Sequence, residues 1–473
     1  VKKSQQSPSE IVRQLEKIVG REYVASDTVD LLAYTRDASP MEGVVPMAVV
    51  KVGDSLECSR VLSLANELGF KVYVRGGGTS AGGGGIAFQP NSVILDTTRM
   101  NRILEIDERN MSVTVQPGVI WSTLNEELAK RGLRVPFMGP ESAYGATVGG
   151  SIALASMSSQ GVTESGGTFN QVLSLEVVLP TGEITRVGSD ALPTAGKYAR
   201  VCCGGDFAGL FIGSMGVFGV ITEATLRLEE LPTSSRYIGV VFESWEQGLR
   251  FVQGILRKKL TPKSLNITPG RKSTESSWGV AGECGCRIVI EEPDDGIASR
   301  KAEAIISMAR ELGGVFPTSH EQNVENWWKK MFLRLVSQER EKGFAAHACH
   351  WLPVWRLPEI AEDAEKYFHQ TWGVEEYGMK VSIGAYVADQ RPAVGFSLFL
   401  FYRDDRESRL RAREIWEKWL AHIVERYGAV PYWMGMAWTR ALMTRVRPEY
   451  RDFLRRLKRS LDPNDVLNPG MLV

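Results

Sequence analysis

The sequence predicts an α+β fold made of two domains and a returning tail. Three observations carry that prediction. Residues 47–75 read strand, helix, strand (MAVVKV, SLECSRVLSLANELG, KVYVR), and more strands follow at 92–96 and 111–117, a βαβ unit inside a larger mixed domain. Beyond Leu231-Pro232 a second β-α-β-α rhythm begins, so the boundary is placed there. Three clusters of small residues, at 75–85, 145–156 and 209–222, all fall in the first domain.

Over the first 40 residues a helical spacing puts Ile11, Leu15 and Val19 on one face. The helix at 55–69 starts at Ser55 and stops at Gly69. SVILD (92–96) and MSVTVQP (111–117) are strands, and 121–131 is a helix. VLSLEVVLPTGEITRV (172–187) reads as a hairpin about Thr181-Gly182, and VFGVITEATLRL (217–228) as the strand that ends the domain. In the second domain, strands at 237–244 and 286–292 alternate with helices at 245–259 and 297–313. GFSLFLFY (395–402) is a strand with Phe396, Leu398, Leu400 and Tyr402 on one face and Phe399 and Phe401 on the other. A long helix follows at 405–427, and the tail is a helix with a turn-rich cap. The expected division is 1–231, a cap at 232–430, and a segment 431–473 that returns to the first domain.

Composition narrows the function. Lys+Arg and Asp+Glu both number 56, so overall charge gives no support to a nucleic-acid or anionic-membrane partner. The N-terminus lacks an apolar core for a signal peptide, and no apolar run approaches the length of a membrane span. Six cysteines with no CxxC pair do not make a disulfide framework or a self-contained cluster site. A cytoplasmic protein with reduced thiols is expected.

The segment RGGGTSAGGGG (75–85) carries the most chemistry. Gly76, Gly77, Gly78, Gly82, Gly83, Gly84 and Gly85 have no side chain and Ala81 only a methyl, so backbone N–H groups can cradle a phosphate. Gly76-x-Gly78-x-x-Ala81 formally matches a dinucleotide fingerprint, but that needs a helix to start inside it. Here the chain runs on through Gly85 into IAFQPNSVILD, so that reading is rejected. No GK[ST] triplet exists for a Walker loop. A flexible linker is disfavoured because strands flank the loop. With two further glycine clusters, GATVGGSIALAS and GLFIGSMGVFGVIT, one extended dinucleotide threaded between backbones fits better than a single phosphate.

These motifs, with VQPGV (115–119), Pro140-Glu141-Ser142, LEVVLPTGE (175–183) and LDPNDVLNPG (461–470), resemble in order and spacing the vanillyl-alcohol oxidase/p-cresol methylhydroxylase superfamily. Within it the glycolate oxidase and D-lactate dehydrogenase branch is most similar. The resemblance implies a two-subdomain FAD-binding domain with an α/β cap. It implies an FAD whose pyrophosphate lies on Gly76, Gly77, Gly78, Thr79 and Ser80, next to Arg75. The flavin side would fall to Thr147, Gly149, Gly150 and Ser151, with Pro140, Glu141 and Ser142 nearby. Gly216, Gly219, Val220 and Ile221 would clasp the ribityl–adenine end, and Asn468 would join from the terminal motif. Members that attach flavin through the glycine loop carry a His where this chain has Thr79, so noncovalent FAD is expected. Attachment through a cap-domain His, as in vanillyl-alcohol-type members, would fall to His347 or His350.

The resemblance puts the substrate between flavin and cap, where a base or electrostatic stabiliser is needed. Hydroxy-acid members carry HxGxGNxH and GEHG metal motifs. This chain has neither, and Tyr432-Trp433-Met434-Gly435 stands where GEHG would be, so no metal site is expected. The phenol-oxidising branch uses a Tyr-Arg pair there; Tyr432 matches the Tyr, but Trp433 replaces the Arg, and Arg440 is a few residues on. The remaining candidates are His350 as general base, beside Trp351 in a predicted strand, and Tyr402, Arg403 and Arg391 as anchors for a carboxylate or phenolate. The aromatic endowment of 347–440 favours an apolar or aromatic substrate. His320, His369 and His422 read as solvated.

The expected activity is FAD-dependent dehydrogenation of an alcohol or 2-hydroxy acid. Electrons would pass to a protein such as an electron-transfer flavoprotein or an iron–sulfur subunit. Oxidation of a phenol is one alternative, and a flavin-bearing electron-transfer subunit without its own donor is another. A homo-oligomer is also envisaged. The basic run Arg445, Arg447, Arg451, Arg455, Arg456, Lys458 and Arg459 reads as a solvated helix face, or as a dock for an acidic partner.

Overall fold

The computed structural model describes residues 7–270, 280–330, 344–388, 393–403, 405–432 and 434–472. The first domain opens with the helix Pro8–Val19, capped by Ser7, whose buried face is Ile11, Leu15 and Val19. The rest of the first 40 residues is not one helical stretch. It holds two short helical turns, the helix Thr28–Leu32 and a strand, β1 (Val24–Ala25). β2 (Ala48–Lys51), β3 (Lys71–Arg75) and β4 (Ser92–Asp96) form a parallel trio in the order β2-β4-β3, with β1 antiparallel on the outer edge of β2. The helix between β2 and β3, Ser55–Leu68, is capped one residue earlier than expected, by Asp54, whose carboxylate accepts from Glu57 N–H at 2.8 Å. Gly69 ends it in the left-handed region.

A five-stranded antiparallel sheet completes the domain. It uses β5 (Ile103–Asp107) and β6 (Ser112–Val115), then, after the short β7 (Leu133–Arg134), β8 (Val172–Val178), β9 (Ile184–Gly188) and β10 (Val220–Arg227), in the order β5-β6-β10-β8-β9. β8 and β9 are the expected hairpin. β5 was not foreseen: its charged, half-exposed ILEID shows no clean alternation.

After β11 (Glu229–Glu230), which pairs with β7, the cap forms one antiparallel sheet. Its strands are β12 (Ser234–Phe242), β13 (Ser264–Pro269), β14 (Cys284–Glu292), β15 (Phe344–Pro353), β16 (Lys380–Val387), β17 (Ala393–Tyr402) and β18 (Val430–Pro431). The order is β12-β14-β13-β16-β17-β15-β18. Helices Trp245–Arg257, Asp295–Glu311 and Arg406–Tyr427 bury apolar faces against it.

Two devices hold the cap over the first domain. Lys263, 0% exposed, bonds Glu229 at 2.5 Å and Glu164 at 3.1 Å, while Arg134 bridges Glu229 at 2.7 Å and Glu291 at 2.5 Å. A buried charge that loses its partner costs about 3–5 kcal/mol, so this network fixes the seam. The returning tail is the second device. Ala437 N–H donates to Gly82 at 3.2 Å, and Leu467 lies in parallel register with Val72 beside β3. Lys458 is not on a solvated face as the basic run suggested. It is buried, donating to the carbonyls of Val217 and Leu467 and to Asp462, while Arg445 pairs with Glu425.

Candidate functional site

A cavity of about 640 Å³ runs along the three small-residue segments and up to the cap sheet. The segments approach backbone to backbone. A Cβ on Gly76 would lie 2.3 Å from Thr147 Oγ1, and one on Gly77 would lie 1.8 Å from the carbonyl oxygen of Gly145. Gly78 adds a left-handed φ of +69°. Among the described residues, no protein acceptor takes the backbone N–H of any residue from Gly76 to Ser80. Such a run of N–H groups along a cavity wall is a nest for an anion.

Arg75 lines this wall too, but not as an anion ligand. Its Nη1 donates to the carbonyls of Arg36 and Gly85, both at 2.8 Å, and its guanidinium lies over the Tyr34 ring. It therefore ties the loop to the N-terminal segment. Ser80 Oγ accepts from Gly84 N–H at 2.9 Å and shapes the second half of the loop. Thr79 reaches the wall at Gly145. Asp37, which the sequence reading missed, accepts from Ser39 Oγ at 2.6 Å and Gly85 N–H at 3.3 Å, and burial raises its pKa.

The second segment brings Pro140, Glu141 and Ser142 to the cavity, followed by Thr147, Gly149, Gly150 and Ser151. Thr147 caps the helix Val148–Ala153, and Ser151 Oγ accepts from Trp121 Nε1 at 2.9 Å. The third segment contributes Gly216, Gly219, Val220 and Ile221. Asn468 does not line the cavity. Its Oδ1 accepts from Val74 N–H at 2.9 Å and its Nδ2 donates to the Met215 carbonyl at 2.6 Å. It bolts β3 to the loop before Gly216.

The cap wall is set by strand alternation. His347 and Cys349 of β15, Ser397 and Phe399 of β17, and Tyr386 of β16 face the cavity, with Tyr432 beside them. In register, His347 sits opposite Phe399, Cys349 opposite Ser397, and Tyr386 opposite Gly395. Gly395 leaves room for that tyrosine: a Cβ there would lie 2.4 Å from its ring. The Tyr386 hydroxyl donates to the Tyr432 hydroxyl at 2.6 Å, and Ser397 Oγ lies 3.4 Å from it. Burial holds both phenols well above the ordinary tyrosine range. Burial likewise pushes the His347 imidazole down to about 3, so it is neutral at ordinary pH. Its ring meets Phe399 edge-on at 4.4 Å.

His350 faces the other way. It is 0% exposed behind the sheet, against Phe396 and Trp438, and so cannot reach the cavity. Tyr402 is on the same far face of β17, its ring tilted against Phe344. Arg403 is exposed at the strand end. Arg391 and Trp433 lie outside the described residues. His422 pairs with Asp363 at 2.6 Å, His369 with Glu375, and His320 accepts from Gly239 N–H at 3.2 Å. Among the described residues, no three of His, Cys, Asp and Glu converge as a metal site.

His350 yields a stability prediction. Among the described residues both ring nitrogens lack a partner, and burial lowers its pKa to about 3. The unfolded chain binds this proton below pH ~6.5 and the folded chain does not, so stability falls as pH drops through that window. The loss is about 2 kcal/mol from roughly pH 7.5 to 5. His350→Leu should fold and show a shallower decline of Tm over that range. Equal slopes in paired melts would sink the idea.

Comparison with known proteins places this geometry. The family described as "FAD linked oxidases, C-terminal domain" matches residues 231–472, just over half of the chain. The chain belongs to the FAD-linked oxidase family. The FAD binding domain family matches residues 46–188 of this FAD-linked oxidoreductase. The glycolate oxidase subunit GlcD of Bacillus subtilis is 26% identical, over 98% of this chain and 96% of that one. A D-lactate dehydrogenase of Archaeoglobus fulgidus is 28% identical over 93% and 95%. The crystal structure of p-cresol methylhydroxylase with substrate bound superposes with a TM-score of 0.83, at 19% identity, covering 98% and 96%. The fold is thus of the p-cresol methylhydroxylase type.

FAD suits the cavity on physical grounds. The N–H run at 76–80 supplies donors without a cation, and the Gly77–Gly145 approach leaves no side chain in the way. Among the described residues, no helix of this FAD-linked oxidase is long and apolar enough to cross a membrane.

Proposed function

We propose that this chain is an FAD-dependent dehydrogenase that oxidises the CH–OH carbon of an alcohol or 2-hydroxy acid. The observation that carries this reading is His347: a neutral, buried imidazole on the cavity wall beside two hydroxyl-bearing tyrosines. FAD would be held noncovalently, its pyrophosphate on the backbone of Gly76–Ser80, with Thr147–Ser151 and Gly216–Ile221 along the rest. When bound, FAD supplies a two-electron acceptor for hydride.

The chain's own residues do the remainder. Tyr386 and Tyr432, kept as neutral phenols, orient the donor oxygen by hydrogen bonding. An imidazole nitrogen of His347 takes the hydroxyl proton as the carbon loses hydride. Phe399 and Met157 line the same region and exclude water. Electrons would then leave to a protein acceptor such as an electron-transfer flavoprotein or iron–sulfur subunit. We divide the chain at 1–231, 232–430 and 431–473.

Donor charge follows from the lining. Among the described residues, the arginines that line the cavity, Arg36 and Arg75, belong with the glycine loop, while the cap wall is His347, Cys349, Tyr386, Ser397, Phe399 and Tyr432. An uncharged aromatic or apolar alcohol suits that wall better than the 2-hydroxy acids for which its relatives are named. The Tyr386–Tyr432 bond favours a second reading, a phenolic donor bound through its hydroxyl.

The test is anaerobic bleaching of the flavin by benzyl alcohol, D-lactate, glycolate and a 4-alkylphenol, with and without Mn²⁺ or Zn²⁺. Fastest bleaching by the uncharged alcohol, indifferent to metal, is expected. Bleaching only by the acids, and only with metal, would sink the neutral-site reading. Preference for the alkylphenol selects the second reading. Acid precipitation should release the yellow colour into solution.

A further inference from the structure

Residues 199–207 form a surface loop, ahead of the helix Ala208–Phe211, that the proposed function leaves unused. Arg200 and Asp206 join its stems, Nε to Oδ1 at 2.9 Å, and Asp206 also accepts from Gly209 N–H at 3.0 Å. At the tip, Cys202 and Cys203 stand with sulfurs 3.0 Å apart, and a bridge links Cys202 to Gly205. Cys203 is exposed, and its φ of +48° is one that non-glycine residues rarely adopt. The other four cysteines are buried. The loop therefore presents two neighbouring thiols to solvent in a strained turn.

The loop is also wired to the cavity. Arg200 Nη1 donates to the Phe169 carbonyl. The Phe169 ring meets Trp351 edge-on at 6.4 Å, and Trp351 meets Tyr432 at 6.3 Å. Tyr432 is part of the cavity wall.

We propose that Cys202 and Cys203 are a reversible dithiol switch: a peroxide closes them to a disulfide, and closure moves Arg200 and the Phe169–Trp351 contact behind the cavity. Cys203, as thiolate, attacks one peroxide oxygen. The O–O bond breaks, and the departing hydroxide takes up the proton that Cys203 gave up and leaves as water, with a sulfenic acid left on Cys203. The Cys202 sulfur then attacks the Cys203 sulfur, the S–O bond breaks, and the second water leaves with the Cys202 proton. Two thiols have lost two electrons and two hydrogens, and one peroxide has become two waters. Adjacent Cα atoms are about 3.8 Å apart, short of the usual disulfide range of about 4.4–6.8 Å. The ring is therefore strained, and a thiol reopens it readily.

The experiment treats the purified holoprotein with hydrogen peroxide, alkylates free thiols, and weighs the peptides. The 202–203 peptide should be unalkylated and lighter by two hydrogens, and dithiothreitol should restore alkylation. Hydrogen exchange over residues 167–171 should quicken several-fold on oxidation and recover on reduction. Peroxide-treated Cys203→Ser should show neither change. Retained alkylation at both thiols, sulfinic acid on Cys203 with Cys202 still alkylated, or a disulfide with unchanged exchange would each overturn the proposal.

Discussion

Gly77→Ala is expected to give a folded but colourless protein. The added methyl would lie 1.8 Å from the Gly145 carbonyl oxygen and 2.9 Å from its carbon. Both are backbone atoms, so no side chain can swing aside. The two loops must part. Overpacking of this kind costs about 1–3 kcal/mol, which a domain with a buried core elsewhere can absorb. The alignment of the N–H run is what fails. A hydrogen bond to a charged group is worth about 1.5–3 kcal/mol. Losing two of them weakens FAD binding at least ~100-fold. The flavin-to-protein absorbance ratio after purification, and a fluorescence titration with FAD, measure this, with a thermal melt as the folding control. A fully yellow variant of unchanged affinity would remove the loop from the pyrophosphate.

Replacing His347 should leave the colour and remove the turnover. In His347→Gln the cavity keeps its glycine floor and its tyrosine pair, so FAD stays. The rate of anaerobic flavin reduction by the donor should drop by about 10²–10⁴, the usual contribution of a positioned base. The pH profile is the sharper readout. With its pKa lowered to about 3 by burial, His347 is already neutral across the assay range. The wild-type reduction rate should then show no acid limb from this group between roughly pH 5 and 8. A variant within a few-fold of wild type would take the base role from His347.

The difference between His347 and His350 shows where sequence reading stops. Both sit in FAAHACHWLP, which is the strand β15. Which face of a strand turns inward depends on register, and a shift of one residue exchanges the faces. Nothing local tells His347 from His350. The alternation in GFSLFLFY was equally legible, with Phe399 and Tyr402 on opposite faces, but which face meets the cavity is decided by the whole sheet. By contrast, the glycine floor could be read directly, because contact between backbones leaves a mark in composition. Asp37 and Asn468 show the other limit. Asp37 comes to Gly85 and Asn468 to Val74 from far along the chain, and each acts on the backbone near the cavity. Only folding brings such residues to their partners.

The tail's bond to β3 sets an order of events during synthesis. β3 is an edge strand of its sheet, and its partners come from residues 466–468: Val72 N–H donates to the Val466 carbonyl, and Asn468 N–H to the Val72 carbonyl. β3 also leads straight into the glycine loop. A nascent chain therefore carries an unpaired β3 edge beside the glycine loop until residues 466–468 have been made. Closing that edge is a late step, possible only once the cap has been made.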